Sequence, residues 1–140
     1  LHAVIPHKFV DHTHADAVLA VSNTPDGEAR IRQIYGDDVL IVPYLMPGFD
    51  LAQYVGREFA RRSSPHTQGM VLLRHGIFSF GATARESYER MIALVSRAEA
   101  YLQREGAWSL PDAAAMPAAE IARTKLAALR RAVCDAAGTP

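Results

Sequence analysis

A single cysteine, Cys134, is the chain's whole stock of thiol, so no intramolecular disulfide can form. That fits a reducing compartment and excludes the disulfide-stapled secreted scaffolds. An excess of charge is equally lacking: fifteen Lys plus Arg balance fifteen Asp plus Glu, a formal net charge of +0 over 140 residues. No broad field therefore recommends a nucleic acid or an anionic membrane as partner. No uninterrupted apolar run approaches the roughly 20 residues that cross a bilayer, and the start lacks the basic-then-apolar order of a signal peptide. The chain is expected to be cytoplasmic, with neither nucleic acid nor membrane among its partners. An initial Met is missing too. Leu1-His2-Ala3-Val4-Ile5-Pro6 reads as the middle of a structured segment, so the numbering is expected to begin inside a larger protein. What is present is an apolar share of 49%, enough for one buried core in one domain.

Strands and helices alternate along the sequence. Phe9 to His14 reads as a short strand on which His12 and His14, with Val10, face the same side. Helix formers follow from Ala15 to Val21, and Ser22-Asn23-Thr24-Pro25-Asp26-Gly27 supplies turn residues. Glu28 to Tyr35 carries Ile31, Ile34 and Tyr35 at helical spacing, with Gly36 as its stop. Val39-Leu40-Ile41-Val42 is a continuous β-branched apolar run, which predicts a strand buried on both faces and ended by Pro43. Asp50 to Arg62 repeats Leu51, Tyr54, Val55 and Phe59 as an amphipathic helix does. Met70 to Leu73 and Ile77 to Phe80 predict two short strands or one bent one, broken at Arg74-His75-Gly76. Thr83 and Glu86 have the spacing of a capping box, and Tyr88, Met91, Ile92, Val95, Ala98, Glu99 and Leu102 follow on a helical period to about Gly106. Beyond Trp108 an alanine-rich stretch with Pro111 and Pro117 leads into a helix from about Ala118 to Ala137, with Ile121, Leu126, Leu129 and Val133 on its apolar side. No internal repeat is seen. The alternation points to an α/β layered domain over residues 1–107 with a mixed or antiparallel sheet, and residues 108–140 form an appended helical tail.

The sharpest chemical signal is His12-Thr13-His14, because imidazoles at i and i+2 of a strand leave one face together and can reach a single ion. A catalytic divalent metal commonly takes three protein ligands and keeps an open position. His75 is the candidate for the third, since a His-Gly pair at a strand break lets the backbone turn tightly and present the ring; His2, His7 and His66 lack this setting. A His-x-His pair alone also arises by chance among surface and core histidines. Asp11 and Asp16 flank the pair and can orient an imidazole, although Asp16 suits a helix N-terminus better. Cys134 reads as a small apolar residue of the tail helix.

Three blocks taken together, Phe9 to Ala17, Val42-Pro43-Tyr44 through Pro47-Gly48, and Leu73 to Gly81, resemble the class II aldolase and adducin-head family. Within it, Leu1-His2-Ala3 leading to His-Thr-His, with Val-Pro-Tyr and Pro-Gly-Phe following, looks most like the aldolase part of bifunctional rhamnulose-1-phosphate aldolase and short-chain dehydrogenase proteins. The resemblance implies an α/β/α layering around a mixed, mainly antiparallel sheet, here truncated at its N-terminus. It implies a zinc-type ion on His12, His14 and His75, a sugar-phosphate substrate, and tetramers or other homo-oligomers. It implies aldol cleavage of a ketose 1-phosphate to dihydroxyacetone phosphate and an aldehyde, the cation stabilising the enediolate charge. A tyrosine hydroxyl from a neighbouring subunit is the proton donor in some members, and Tyr44 is the candidate here. Its position beside Pro43 after a buried strand is more often that of a packed, partly exposed aromatic.

The family's base is a glutamate shortly before the Leu-His-Ala phrase, and no Glu occurs here before Glu28, so the fragment is expected to be inactive. The resemblance implies that the tail is a linker towards a dehydrogenase domain, the only place for NAD. Two other readings share the fold: an adducin-like interaction module without metal chemistry, and a sugar-phosphate epimerase or dehydratase using the same ligands. Retention of all three histidines favours an enzyme over the first.

Overall fold

The computed structural model describes residues 1–109 and 119–138, with side chains from residue 122 onward in the second stretch. Its elements are β1 (Phe9–Thr13), α1 (Asp16–Ser22), α2 (Gly27–Tyr35), β2 (Val39–Val42), α3 (Phe49–Arg62), β3 (Gly69–Leu72), β4 (Gly76–Gly81), α4 (Ala84–Arg104) and α5 (Ala119–Ala137). They fall into two units, Leu1–Trp108 and Ser109–Pro140. The side chain of Ile121 and residues 110–118, with Pro111 and Pro117, lie outside the described residues.

In the first unit four strands form a mixed sheet in the order β1-β4-β3-β2. The β1–β4 and β3–β4 pairs are antiparallel and β2–β3 is parallel. Alternation along each strand sends side chains to opposite faces. Val39, Ile41, Val71 and Ile77 join Val18, Val21, Ile31, Tyr35, Met91, Leu94, Ala98 and Tyr101 on one face, beneath α1, α2 and α4. Leu40, Val42, Met70, Leu72, Phe78 and Phe80 join Leu51, Val55, Phe59 and Ile5 on the other, beneath α3 and the opening segment. Helix, sheet and helix are thus three layers, and the run Val39 to Val42 is buried throughout because each face has its own cover. Burying one such aliphatic or aromatic side chain contributes about 1.5–3 kcal/mol. Both faces therefore have to be filled for a sheet this small to hold.

Helix α4 differs from expectation in the face it buries. Ser87, Met91, Leu94, Ala98 and Tyr101 are buried, whereas Tyr88 and Ile92 are 62% and 50% exposed. Two of the buried residues meet polar groups of other elements, which a count of apolar side chains overlooks. The Ser87 carbonyl accepts from the buried Ser79 hydroxyl at 2.8 Å, and the Tyr101 hydroxyl accepts from Arg30 at 3.1 Å. The helix start matches its sequence: Thr83 Oγ1 accepts from Glu86 N at 3.1 Å while Glu86 reaches back to Ala82 N at 2.7 Å. No described helix is long and apolar enough to cross a membrane.

Candidate metal centre

The sheet brings three sequence blocks to one of its ends. β1 and β4 are antiparallel with Thr13 opposite Ile77, so the end of β1 meets the start of β4. The short connection Leu73, Arg74 and His75 joins β3 to β4, and Leu73 N donates to the Val42 carbonyl at 2.9 Å, which ties the end of β2 to the same place. Arg74 takes a left-handed φ of 61°, a conformation costing a non-glycine residue about 1 kcal/mol. That turn carries His75 back towards β1.

The imidazoles of His12, His14 and His75 come together there. Their ring centroids lie 4.8 Å (His12–His14), 5.2 Å (His12–His75) and 5.0 Å (His14–His75) apart. One ring nitrogen from each falls within 4.8 Å of the others. Nitrogens around a tetrahedral zinc ion at about 2.0–2.1 Å stand roughly 3.3 Å apart. The rings are therefore within a small side-chain rotation of a shared ion.

The His12 ring is held by two residues of β4. His12 pairs with Phe78 across the β1–β4 ladder, and the two rings stack at 4.0 Å with planes 11° apart. His12 Nδ1 lies 3.0 Å from the Ile77 carbonyl. A carbonyl only accepts, so Nδ1 carries the proton and Nε2 keeps its lone pair for a ligand. That orienting partner is a backbone carbonyl rather than the Asp11 or Asp16 carboxylate. Asp16 instead sits in the first turn of α1. Gly76 lets the rings approach: a Cβ there would meet Thr13 O at 2.6 Å, His14 Cδ2 at 2.9 Å and His12 Cε1 at 3.0 Å.

The electrostatics favour the neutral form of His12 and His75. Burial lowers the His12 pKa from its ordinary 6.5, the Ile77 carbonyl opposes this, and the like charges of His14, His75 and His2 add to the lowering. Burial, then His14, lowers that of His75. Neutral imidazole is the form that binds a cation. His75 Nδ1 is buried without a hydrogen-bond partner, a state that an ion would relieve. Donor type, protonation and this orphaned nitrogen all fit a divalent metal.

The placements of His2 and Phe78 were not foreseen. His2, discounted in the sequence, packs its ring edge-on to Phe78 at 6.3 Å and lies close enough to His12 to oppose its protonation. Phe78 and Gly76 shape the cluster through a strand register that the sequence does not print. Tyr44 follows β2 at the same end of the sheet, 48% exposed, with its hydroxyl 4.0 Å from Met46 Sδ.

Residues 1–102 match the family model described as Class II Aldolase and Adducin N-terminal domain. Over 102 residues the chain is 34% identical to "Uncharacterized oxidoreductase YuxG" of Bacillus subtilis (strain 168), a match covering 73% of this chain and 14% of that protein. The structure of the N-terminal class II aldolase domain of a conserved protein from Thermoplasma acidophilum is similar with a TM-score of 0.64 and 42% identity, over 72% of this chain and 45% of that one. A sugar-phosphate aldolase from Thermotoga maritima shares the fold with a TM-score of 0.55 and 20% identity, over 73% and 47% of the two chains. This chain thus spans less than half the length of each of these relatives. Its matched residues hold both the whole four-stranded sheet and the histidine cluster, and the chain belongs to the class II aldolase and adducin N-terminal domain family.

Proposed function

We propose that the chain supplies the metal centre of a class II aldolase, a carbon–carbon lyase acting on a ketose 1-phosphate of the rhamnulose 1-phosphate type. The observation that carries this is the meeting of three ring nitrogens within 4.8 Å, drawn from two distant stretches of sequence. His12, His14 and His75 would hold the ion, and zinc suits an all-nitrogen set of this size. A divalent cation bound there supplies Lewis acidity, polarising a carbonyl oxygen and offsetting negative charge that develops on it. The protein's part is to keep the ligands neutral and oriented. Three neutral rings leave the cation's charge undiminished. The Ile77 carbonyl fixes the His12 tautomer, and the Phe78 ring fixes its plane.

Tyr44 would act on a neighbouring copy. Its exposed hydroxyl, on the loop after β2, is placed to reach outward, so a homo-oligomer is part of the proposal. Its role there is to take the proton that the sugar hydroxyl loses as it becomes the aldehyde carbonyl, and to give it back in the reverse condensation, at a site bounded by two subunits. Residues 108–140, which include α5, are read as a linker towards a dehydrogenase domain, where NAD would bind. The oxidoreductase in the name of YuxG, a protein of which this chain covers 14%, supports that arrangement.

Cobalt(II) titration of the 140-residue chain, followed by addition of dihydroxyacetone phosphate, tests the proposal. One cobalt ion should bind with the ligand-field spectrum of a nitrogen site, lost in His75→Ala, and the phosphate ester should shift that spectrum. Binding without a shift would favour the epimerase or dehydratase reading. No histidine-dependent binding at all would leave an adducin-like interaction module.

A further inference from the structure

Helix α5 of the second unit carries its apolar residues in a pattern unlike that of the core helices. Ala122, Leu126, Leu129, Val133 and Ala136 recur in alternating steps of four and three, the seam spacing of paired helices. Leu126, Leu129 and Val133 are 63%, 60% and 58% exposed, so three neighbouring large apolar side chains lie on one face of a 19-residue helix in water. Positions bordering the seam hold Arg123, Lys125, Arg130, Ala132 and Ala137, and none of them is acidic. The acid Asp135 lies off the seam.

We propose that α5 is a docking helix whose partner is a second amphipathic helix with a leucine-type seam bordered by Glu or Asp. The charges select this occupant. In a parallel pair of identical copies Lys125 of one helix would face Arg130 of the other, and like charges at such positions repel. In an antiparallel pair borders of the same kind face each other, again without an acid. A second copy is therefore disfavoured on α5. A lipid surface is disfavoured by the seam's shape. Helices that lie on membranes use a broad apolar face rich in Trp, Phe or Leu, whereas this seam is narrow and has alanine at both ends. Narrow seams ending in small residues let another helix approach closely.

The test uses the full 140-residue chain and two labelled synthetic helical peptides of about three heptads with the same Leu/Val seam, one bordered by Glu and one by Lys. The Glu peptide should bind, with affinity falling as salt rises. In the double variant Lys125→Glu/Arg130→Glu its affinity should drop about tenfold while the Lys peptide gains a similar factor. Both side chains are exposed, and circular dichroism checks that helicity is kept. Leu126→Ala/Leu129→Ala should weaken whichever peptide binds. Equal binding of the two peptides, or binding of neither, would overturn the proposal. So would cosedimentation with phosphatidylserine vesicles in place of peptide binding, or a dimer of the unaltered chain that Leu126→Ala/Leu129→Ala dissolves.

Discussion

Replacing Gly76 by alanine adds one carbon where the cluster has no room for it. The new Cβ would stand 2.6 Å from the Thr13 carbonyl oxygen, which belongs to β1 and cannot swing aside as a long side chain can. It would also press on the rings of two of the three grouped histidines, His14 at 2.9 Å and His12 at 3.0 Å. Overpacking of this kind costs about 1–3 kcal/mol. For a unit of this size the melting temperature should fall by roughly 5–15 °C. Relief requires the end of β1 to move away from β4, and that separates His12 and His14 from His75. Metal affinity should then drop by about 10- to 100-fold, the range seen when groups orienting metal ligands are disturbed. Thermal unfolding of the metal-free chain reads the packing effect together with the strain of a side chain at the Gly76 φ of 159°, and calorimetric zinc titration at a temperature where the variant stays folded reads the second. A variant that melts with the parent chain and binds zinc equally would refute the close packing derived for Gly76.

Phe78→Leu keeps a buried apolar side chain but removes the ring stacked on His12 at 4.0 Å. Zinc affinity should fall about tenfold, and an unchanged titration would deny Phe78 any orienting role. The depressed pKa values of His12 and His75 mean that below their ordinary 6.5 the unfolded chain takes up protons that the folded chain refuses. Stability from this source is complete above pH 6.5 and declines as pH falls through that value towards the lower folded-state values. The metal-free chain should therefore melt at a lower temperature at pH 5.5 than at 7.5. A His12→Asn/His75→Asn variant with the same pH slope would contradict that origin. Gly56 lies inside α3, and a Cβ there would meet Val4 Cβ at an ordinary 3.4 Å. Gly56→Ala should raise stability by about 0.8–1 kcal/mol through helix propensity, and a lower melting temperature would show that Val4 has no room to give.

Much of this was legible where a local rule and the global packing agree. The run Val39 to Val42 predicted a strand covered on both faces, and Leu40 and Val42 indeed face one core while Val39 and Ile41 face the other. The capping signal at Thr83 and Glu86 placed the start of α4. His12 and His14 were visible because period-two alternation depends only on the chain itself. What stayed hidden depends on register. Nothing local says that Phe78 lies opposite His12, that the Ile77 carbonyl receives its Nδ1 proton, or that His2 packs near both. The face of α4 was misread for a related reason, because the Ser87 carbonyl meets the Ser79 hydroxyl and the Tyr101 hydroxyl meets the Arg30 guanidinium, both on other elements. Hydrophobic periodicity counts such residues as outward-facing.

Anomalous diffraction at the zinc absorption edge, from crystals of the chain grown with zinc, addresses the central claim most directly. One strong peak is predicted among the imidazoles, about 2.0–2.1 Å from a ring nitrogen of each of His12, His14 and His75. Anomalous density only elsewhere on the surface, with the three rings still grouped and metal-free, would contradict it.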